Sequence, residues 1–103
     1  MHPAITAKRD EIIVACKRFN VSRLYLFGSA SRGVDFDSAR SDADFLVEFP
    51  ENSRHDPYLD LKEALETILG SQVDLVDRRA LDTSRNYIRR NAILSTAEPI
   101  YVA

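Results

Sequence analysis

Apolar residues return every three or four positions in some stretches of the chain and stand almost unbroken in others, and these two rhythms mark out its elements. From Pro3 to Phe19, Ile5, Ile12, Ile13, Cys16 and Phe19 recur at helical spacing. Lys8, Arg9, Asp10, Glu11, Lys17 and Arg18 stand between them, which predicts an amphipathic first helix ending near Asn20. Arg23 to Phe27 reads as a short strand with few polar positions, suited to burial on both faces. Phe45 to Phe49 is a second strand, entered through Asp42 and Asp44. Asp56 is placed to cap a helix that has Pro57 at its first position, lines one face with Tyr58, Leu61, Leu65, Ile68 and Leu69, and closes at Gly70. Gln72 to Asp77 forms a third strand, with Asp77 ending it or capping the next segment. Ser84 to Leu94 is helical in pattern, carrying Tyr87, Ile88, Ala92 and Leu94, and Asp82, Thr83 or Ser84 can cap it. Arg85, Arg89 and Arg90 on that helix read as a solvated face or a docking surface, and the sequence alone favours the first. Glu98 to Val102 is a closing strand whose Pro99 fits a strand start or a sheet edge.

At 103 residues this is one domain, 1–103, with room for a single core. With 45% apolar and 29% charged residues the chain is expected to fold rather than remain disordered. A net charge of -2 argues against a protein built to grip nucleic acid backbone, so no direct nucleic acid binding is expected. Cys16 is the lone cysteine, which removes an internal disulfide and a cysteine-rich zinc site, and its apolar neighbours mark it as a buried packing residue. No apolar run approaches the roughly 20 residues that span a bilayer, and the N-terminus lacks a secretory h-region, so a cytoplasmic location is expected and no membrane partner.

The chemistry concentrates between the first and second strands. The strand at Leu24-Tyr25-Leu26-Phe27 breaks at Gly28-Ser29, a corner where the missing Cβ lets backbone approach a ligand and Ser29 adds a hydroxyl. Ala30 to Arg32 can open a helical turn, and the Arg32 guanidinium matches phosphate oxygens. Asp42 and Asp44, spaced i and i+2 in a strand, project from one face and repel unless a cation lies between them. An oxygen-only set of this kind suits Mg²⁺. Asp35 and Asp37 repeat the spacing but lead into no strand, so they read as solvated loop charges. Asp74 shares a face with Val76 on the third strand. A carboxylate buried there would be costly unless paired or metal-bound, which makes it the candidate third acid if strands two and three are neighbours. His2 and His55 have no partner in sequence and read as surface residues.

Such a set can support nucleotidyl transfer by two Mg²⁺ ions, about 3.5–4 Å apart, that stabilise the attacking and leaving oxygens. Asp42 and Asp44 would bridge the ions. Asp74 would ligate the ion that activates the acceptor hydroxyl, and Gly28, Ser29 and Arg32 would hold the β and γ phosphates. The absence of a G-x-x-x-x-G-K-[ST] stretch excludes a P-loop.

Phe27-Gly28-Ser29-x-x-Arg32-Gly33, Ser41-Asp42-x-Asp44, Val73-Asp74-Leu75-Val76 and the Pro99-Ile100-Tyr101 ending together resemble the minimal nucleotidyltransferases (MNT) of the DNA polymerase β superfamily, over nearly the whole chain. The resemblance implies an α/β (α+β) nucleotidyltransferase fold, a mixed sheet of three to four strands with helices packed against it. It further implies an antitoxin that transfers AMP from ATP to a tyrosine of a HEPN-family RNase toxin, in a hetero-oligomer with that toxin. The alternative is a non-catalytic antitoxin that neutralises by covering its partner. The chain departs from the family pattern in one place. The usual spacing between Gly-Ser and Asp-x-Asp is about ten residues, whereas Ala30 to Ser41 makes twelve, an insertion that a loop absorbs cheaply.

Overall fold

The computed structural model of the chain describes residues 3–28, 43–50 and 57–103. Its elements are α1 (Pro3–Thr6), α2 (Arg9–Arg18), β1 (Arg23–Phe27), β2 (Ala43–Glu48), α3 (Tyr58–Leu69), β3 (Val73–Asp77), α4 (Arg78–Asp82), α5 (Tyr87–Thr96) and β4 (Glu98–Val102). The four strands form one mixed sheet in the order β3-β2-β1-β4. β1 is antiparallel to both β2 and β4, while β2 and β3 run parallel. The parallel pair needs a crossover, and α3 supplies it. Pro99 lies on the edge strand β4, where its missing N–H costs the sheet nothing.

Alternation along the strands divides the core in two. Leu24, Leu26, Phe45, Val47, Val73, Leu75 and Ile100 point to one face and pack with Ile12, Cys16, Leu61 and Leu65 of α2 and α3. Phe27 and Leu46 point to the other face and meet Leu81 of α4 and Ile93 of α5. β1 is therefore covered on both sides, as its composition implies.

Chain chemistry explains the helix ends. Asn20 adopts φ 55°, a left-handed turn that asparagine tolerates. The Val21 N–H reaches back to the Cys16 carbonyl (2.9 Å) and the Asn20 N–H to that of Lys17 (3.3 Å), a Schellman closure of α2. Gly70, at φ 69°, ends α3 with its N–H on the Glu66 carbonyl, 2.8 Å away. Asp77 caps α4 by accepting the Arg79 N–H at 2.9 Å.

Three expectations change. The first helix is broken at Ala7–Lys8 into α1 and α2. Lys8 bonds back three residues to Ile5, and residues 6–11 are all exposed, so no core contact holds the helical ladder together there. α3 opens at Tyr58 with Pro57 in the N-cap position, and the expected cap Asp56 lies outside the described residues. The last helix starts at Tyr87 and is capped by Asn86, whose side chain accepts the Arg89 N–H at 3.0 Å, in place of Asp82, Thr83 or Ser84. It buries Ile93 and leaves Tyr87, Ile88 and Leu94 exposed. α4 follows β3 without a break and has no counterpart in the sequence pattern. Among the described residues no helix is long and apolar enough to cross a membrane.

Candidate active site

The register of the sheet brings three of the expected positions into one row. Phe27, the last residue of β1, pairs with Asp44, and Asp44 pairs with Asp74. Opposed residues on neighbouring strands send their side chains to the same face, with the strands about 4.8 Å apart. The carboxylates of Asp44 and Asp74 therefore flank one point at the end of the sheet where β2 and β3 begin. Asp44 is half-buried and Asp74 exposed. The expected penalty for a carboxylate buried within β3 thus does not arise. Asp74 is singled out by its register with Asp44 rather than by burial.

Gly28 follows directly on Phe27 and completes the row. Its φ is +72°, and a Cβ built on it would stand 2.7 Å from Asp44 Oδ2, closer than such atoms approach. The missing side chain thus makes room for the Asp44 carboxylate. The N–H of Gly28 donates to Thr96 Oγ1 at 3.2 Å. Thr96 is the last residue of α5, and its hydroxyl lies 3.0 Å from the Ala92 carbonyl and 3.3 Å from that of Ile93. The end of α5 therefore fixes the corner against which Asp44 rests. Sequence reasoning missed Thr96, because a threonine 68 residues from its partner leaves no local signal.

On the far side, Glu66 Oε2 accepts the N–H of Val73 at 3.0 Å and ties the C-terminal half of α3 to the start of β3, next to Asp74. Lys62, one helical turn before Glu66, lines the same hollow. The hollow has a volume of about 510 Å³ and is bounded by Asp44, Lys62, Glu66, Gln72, Val73 and Asp74. A larger groove of about 930 Å³ runs between α2 and α3, past Val14, Arg18, Glu63 and Ile68, and contains neither aspartate. The charge arrangement for metal and phosphate chemistry belongs to the smaller hollow.

Of the expected site residues, Gly28, Asp44 and Asp74 are brought together. Ser29, Arg32 and Asp42 lie outside the described residues, as do Asp35, Asp37, His2 and His55. Among the described residues no three His, Cys, Asp or Glu side chains form a metal-holding group, and Asp42 is absent from that set. Donor chemistry still favours a hard divalent cation: Asp44 and Asp74 offer only oxygens, in register, beside a corner that excludes any side chain. Cys16 plays no part here. Burial pushes its thiol up to about 12, so it stays protonated and inert.

Comparison with known proteins finds relatives of the chain. Residues 10–101 match the family described as polymerase beta, nucleotidyltransferase. The protein adenylyltransferase MntA of Thermococcus cleftensis is 38% identical over 77 residues, covering 75% of this chain and 73% of that one. The chain spans between 64% and 73% of the length of the curated relatives it matches. A solved minimal nucleotidyltransferase superposes with a TM-score of 0.74 at 33% identity, covering 96% of each chain. The complex of a tri-AMPylated Shewanella oneidensis HEPN toxin with its MNT antitoxin shares the fold, with a TM-score of 0.64 at 22% identity over 95% of this chain and 72% of that one.

Proposed function

Because the chain belongs to the polymerase beta nucleotidyltransferase family, we propose that it is an antitoxin that transfers AMP from ATP to a tyrosine hydroxyl of a cognate HEPN-family toxin. The observation that carries this reading is the row Gly28–Asp44–Asp74, in which two carboxylates on a parallel strand pair face one point and glycine clears the space beside them. The name of the Thermococcus relative supports AMP as the transferred group. The motif resemblance to minimal nucleotidyltransferases supports the toxin as acceptor.

In the reaction the acceptor oxygen attacks the α-phosphorus of ATP and the bond to the β-phosphate bridging oxygen breaks. Pyrophosphate then leaves and AMP is joined to the tyrosine. Asp42, Asp44 and Asp74 would hold Mg²⁺, which supplies charge neutralisation at the phosphates and lowers the pKa of the acceptor hydroxyl. Asp74, the exposed member, would receive the acceptor's proton on its carboxylate. Gly28, Ser29 and Arg32 serve the departing phosphates. With the Gly28 N–H held by Thr96, the part of Gly28 is to keep the corner open, and donation falls to Ser29 and Arg32. Lys62 adds a positive charge to a hollow otherwise dominated by acids.

The test is to incubate the chain with ATP, Mg²⁺ and the cognate toxin and to measure the toxin's intact mass. Increments of one AMP, suppressed by EDTA, are expected. A toxin whose mass is unchanged while the chain still neutralises it would overturn the enzymatic reading in favour of inhibition by binding.

A further inference from the structure

The outward face of α5 is more than a solvated face. The helix buries Ile93 alone, while Tyr87 is 64%, Ile88 85% and Leu94 37% exposed. At 100° per residue all three fall on the side away from Ile93, with Tyr87 and Leu94 close together and Ile88 further round, beyond Asn91 and Ser95, so the outward face mixes apolar and small polar side chains. The Arg90 guanidinium lies over the Tyr87 ring, 5.1 Å from its centre, which presents the aromatic and the charge together. Arg85, just before the helix, and Arg89, one turn before Ile93, are exposed on its flanks. Residues 83–97 contain these three arginines and no acidic residue, whereas the rest of the chain carries 11 basic against 16 acidic residues. Exposed apolar side chains interspersed with amides and hydroxyls and flanked by arginines, on an otherwise acidic chain, are complementary to a protein surface that sets apolar groups beside carboxylates.

We propose that this face of α5 docks the acceptor protein through an apolar patch bordered by Asp or Glu. The proposal rests on the nucleotidyl-transfer reading for the identity of the occupant. Two features connect the face to the chemistry. α5 ends at Thr96, which holds the Gly28 corner, so a protein lying along the helix is brought to the edge of the carboxylate site. The ten residues of α5 span about 15 Å, a distance that a short extended segment of a docked partner covers. The hollow at Asp44 and Asp74 is itself lined almost wholly by polar side chains, so a protein acceptor must be gripped elsewhere. A second copy of the chain is a poor occupant, because a two-fold contact across α5 would bring arginines against arginines. Exposed Ile88 and Leu94 fit a protein surface better than a nucleic acid backbone.

The variants Ile88→Asp and Arg85→Glu/Arg89→Glu test this, since all three side chains are exposed and the fold can be checked by circular dichroism. Binding of the cognate HEPN-family protein is measured without nucleotide, alongside Mg²⁺-ATP binding. Each variant is expected to weaken protein binding by about tenfold or more while leaving ATP binding unchanged. Protein affinity equal to the wild type in both variants would overturn the docking face even if AMP transfer is observed. Loss of affinity in the variants sustains it even if no AMP is transferred, so the two proposals fail separately. Variants that lose self-association or binding to a single-stranded RNA oligonucleotide, while keeping protein affinity, would also overturn it.

Discussion

The two faces of the sheet are built to different standards. Under α2 and α3 lies a continuous layer in which Ile12, Cys16, Leu24, Leu26, Phe45, Val47, Leu61 and Leu65 are fully buried. On the opposite face the buried cluster is Phe27, Leu46, Leu81 and Ile93, with half-buried Tyr25, Val76 and Ala97 at its margin. Asp44 and Asp74 alternate along their strands with the first layer and so belong to the thin side. α5, which holds the Gly28 corner and carries the exposed arginines, also lies on the thin side. The thick layer therefore carries most of the apolar burial that resists unfolding, and the thin one carries the groups proposed to meet nucleotide and partner.

That division predicts how substitutions should sort. Leu65→Ala, in the thick layer, should cost about 2–5 kcal/mol in urea unfolding and lower activity only as far as the fold is lost. Gly28→Ala forces an alanine into φ +72° and its methyl onto Asp44 Oδ2. It should cost about 1–2 kcal/mol, and the displaced carboxylate should slow AMP transfer by about 100-fold or more, far beyond the stability effect. Thr96→Val removes the acceptor of the Gly28 N–H. A loss of about 1 kcal/mol with a reduced transfer rate is expected, and Thr96→Ser, which restores the hydroxyl, should recover both. If Gly28→Ala and Thr96→Val changed stability but not rate, the thin face would have no special link to function.

Cys16 has no pH-linked effect near neutral pH and one that grows only in alkali. In the unfolded chain its thiol ionises near its ordinary value of 9.0, while burial in the thick layer holds the folded thiol up to about 12. The unfolded state therefore releases its proton first, and the stability due to this group is whole below about pH 9 and declines as pH rises toward about 12. Comparing unfolding of the wild type and Cys16→Val across that range should show the smaller decline in the variant. The native thiol should also resist alkylation at about pH 8.

Much of this plan is legible in the chain. The unbroken run Phe45-Leu46-Val47 makes β2 plain and Val73-Asp74-Leu75-Val76 marks β3, and the turn chemistry of Asn20 and Gly70 marks where α2 and α3 end. The acid spacing singles out Asp44, and Asp74 joins it on the condition that β2 and β3 are neighbours, which the sheet order meets. Other features depend on contacts distant in sequence. Nothing local announces that Thr96 reaches Gly28, or that Ile93 rather than Tyr87 and Ile88 turns inward, because both depend on where α5 lands on β1. The break at Ala7–Lys8 is hidden for the opposite reason, since Ile5 and Ile12 keep helical spacing across it. Pattern selects Asp74 for a burial that the structure does not give it, and the register of β2 with β3 supplies the better reason.

The most direct test of the carboxylate row is Asp44→Asn, which keeps the side chain's shape against Gly28 and removes its charge. With the fold verified by circular dichroism and Mg²⁺ and ATP at saturation, the variant is expected to leave the cognate toxin without added AMP. Transfer at the wild-type rate would contradict the assignment of the reaction to Asp44 and its neighbours.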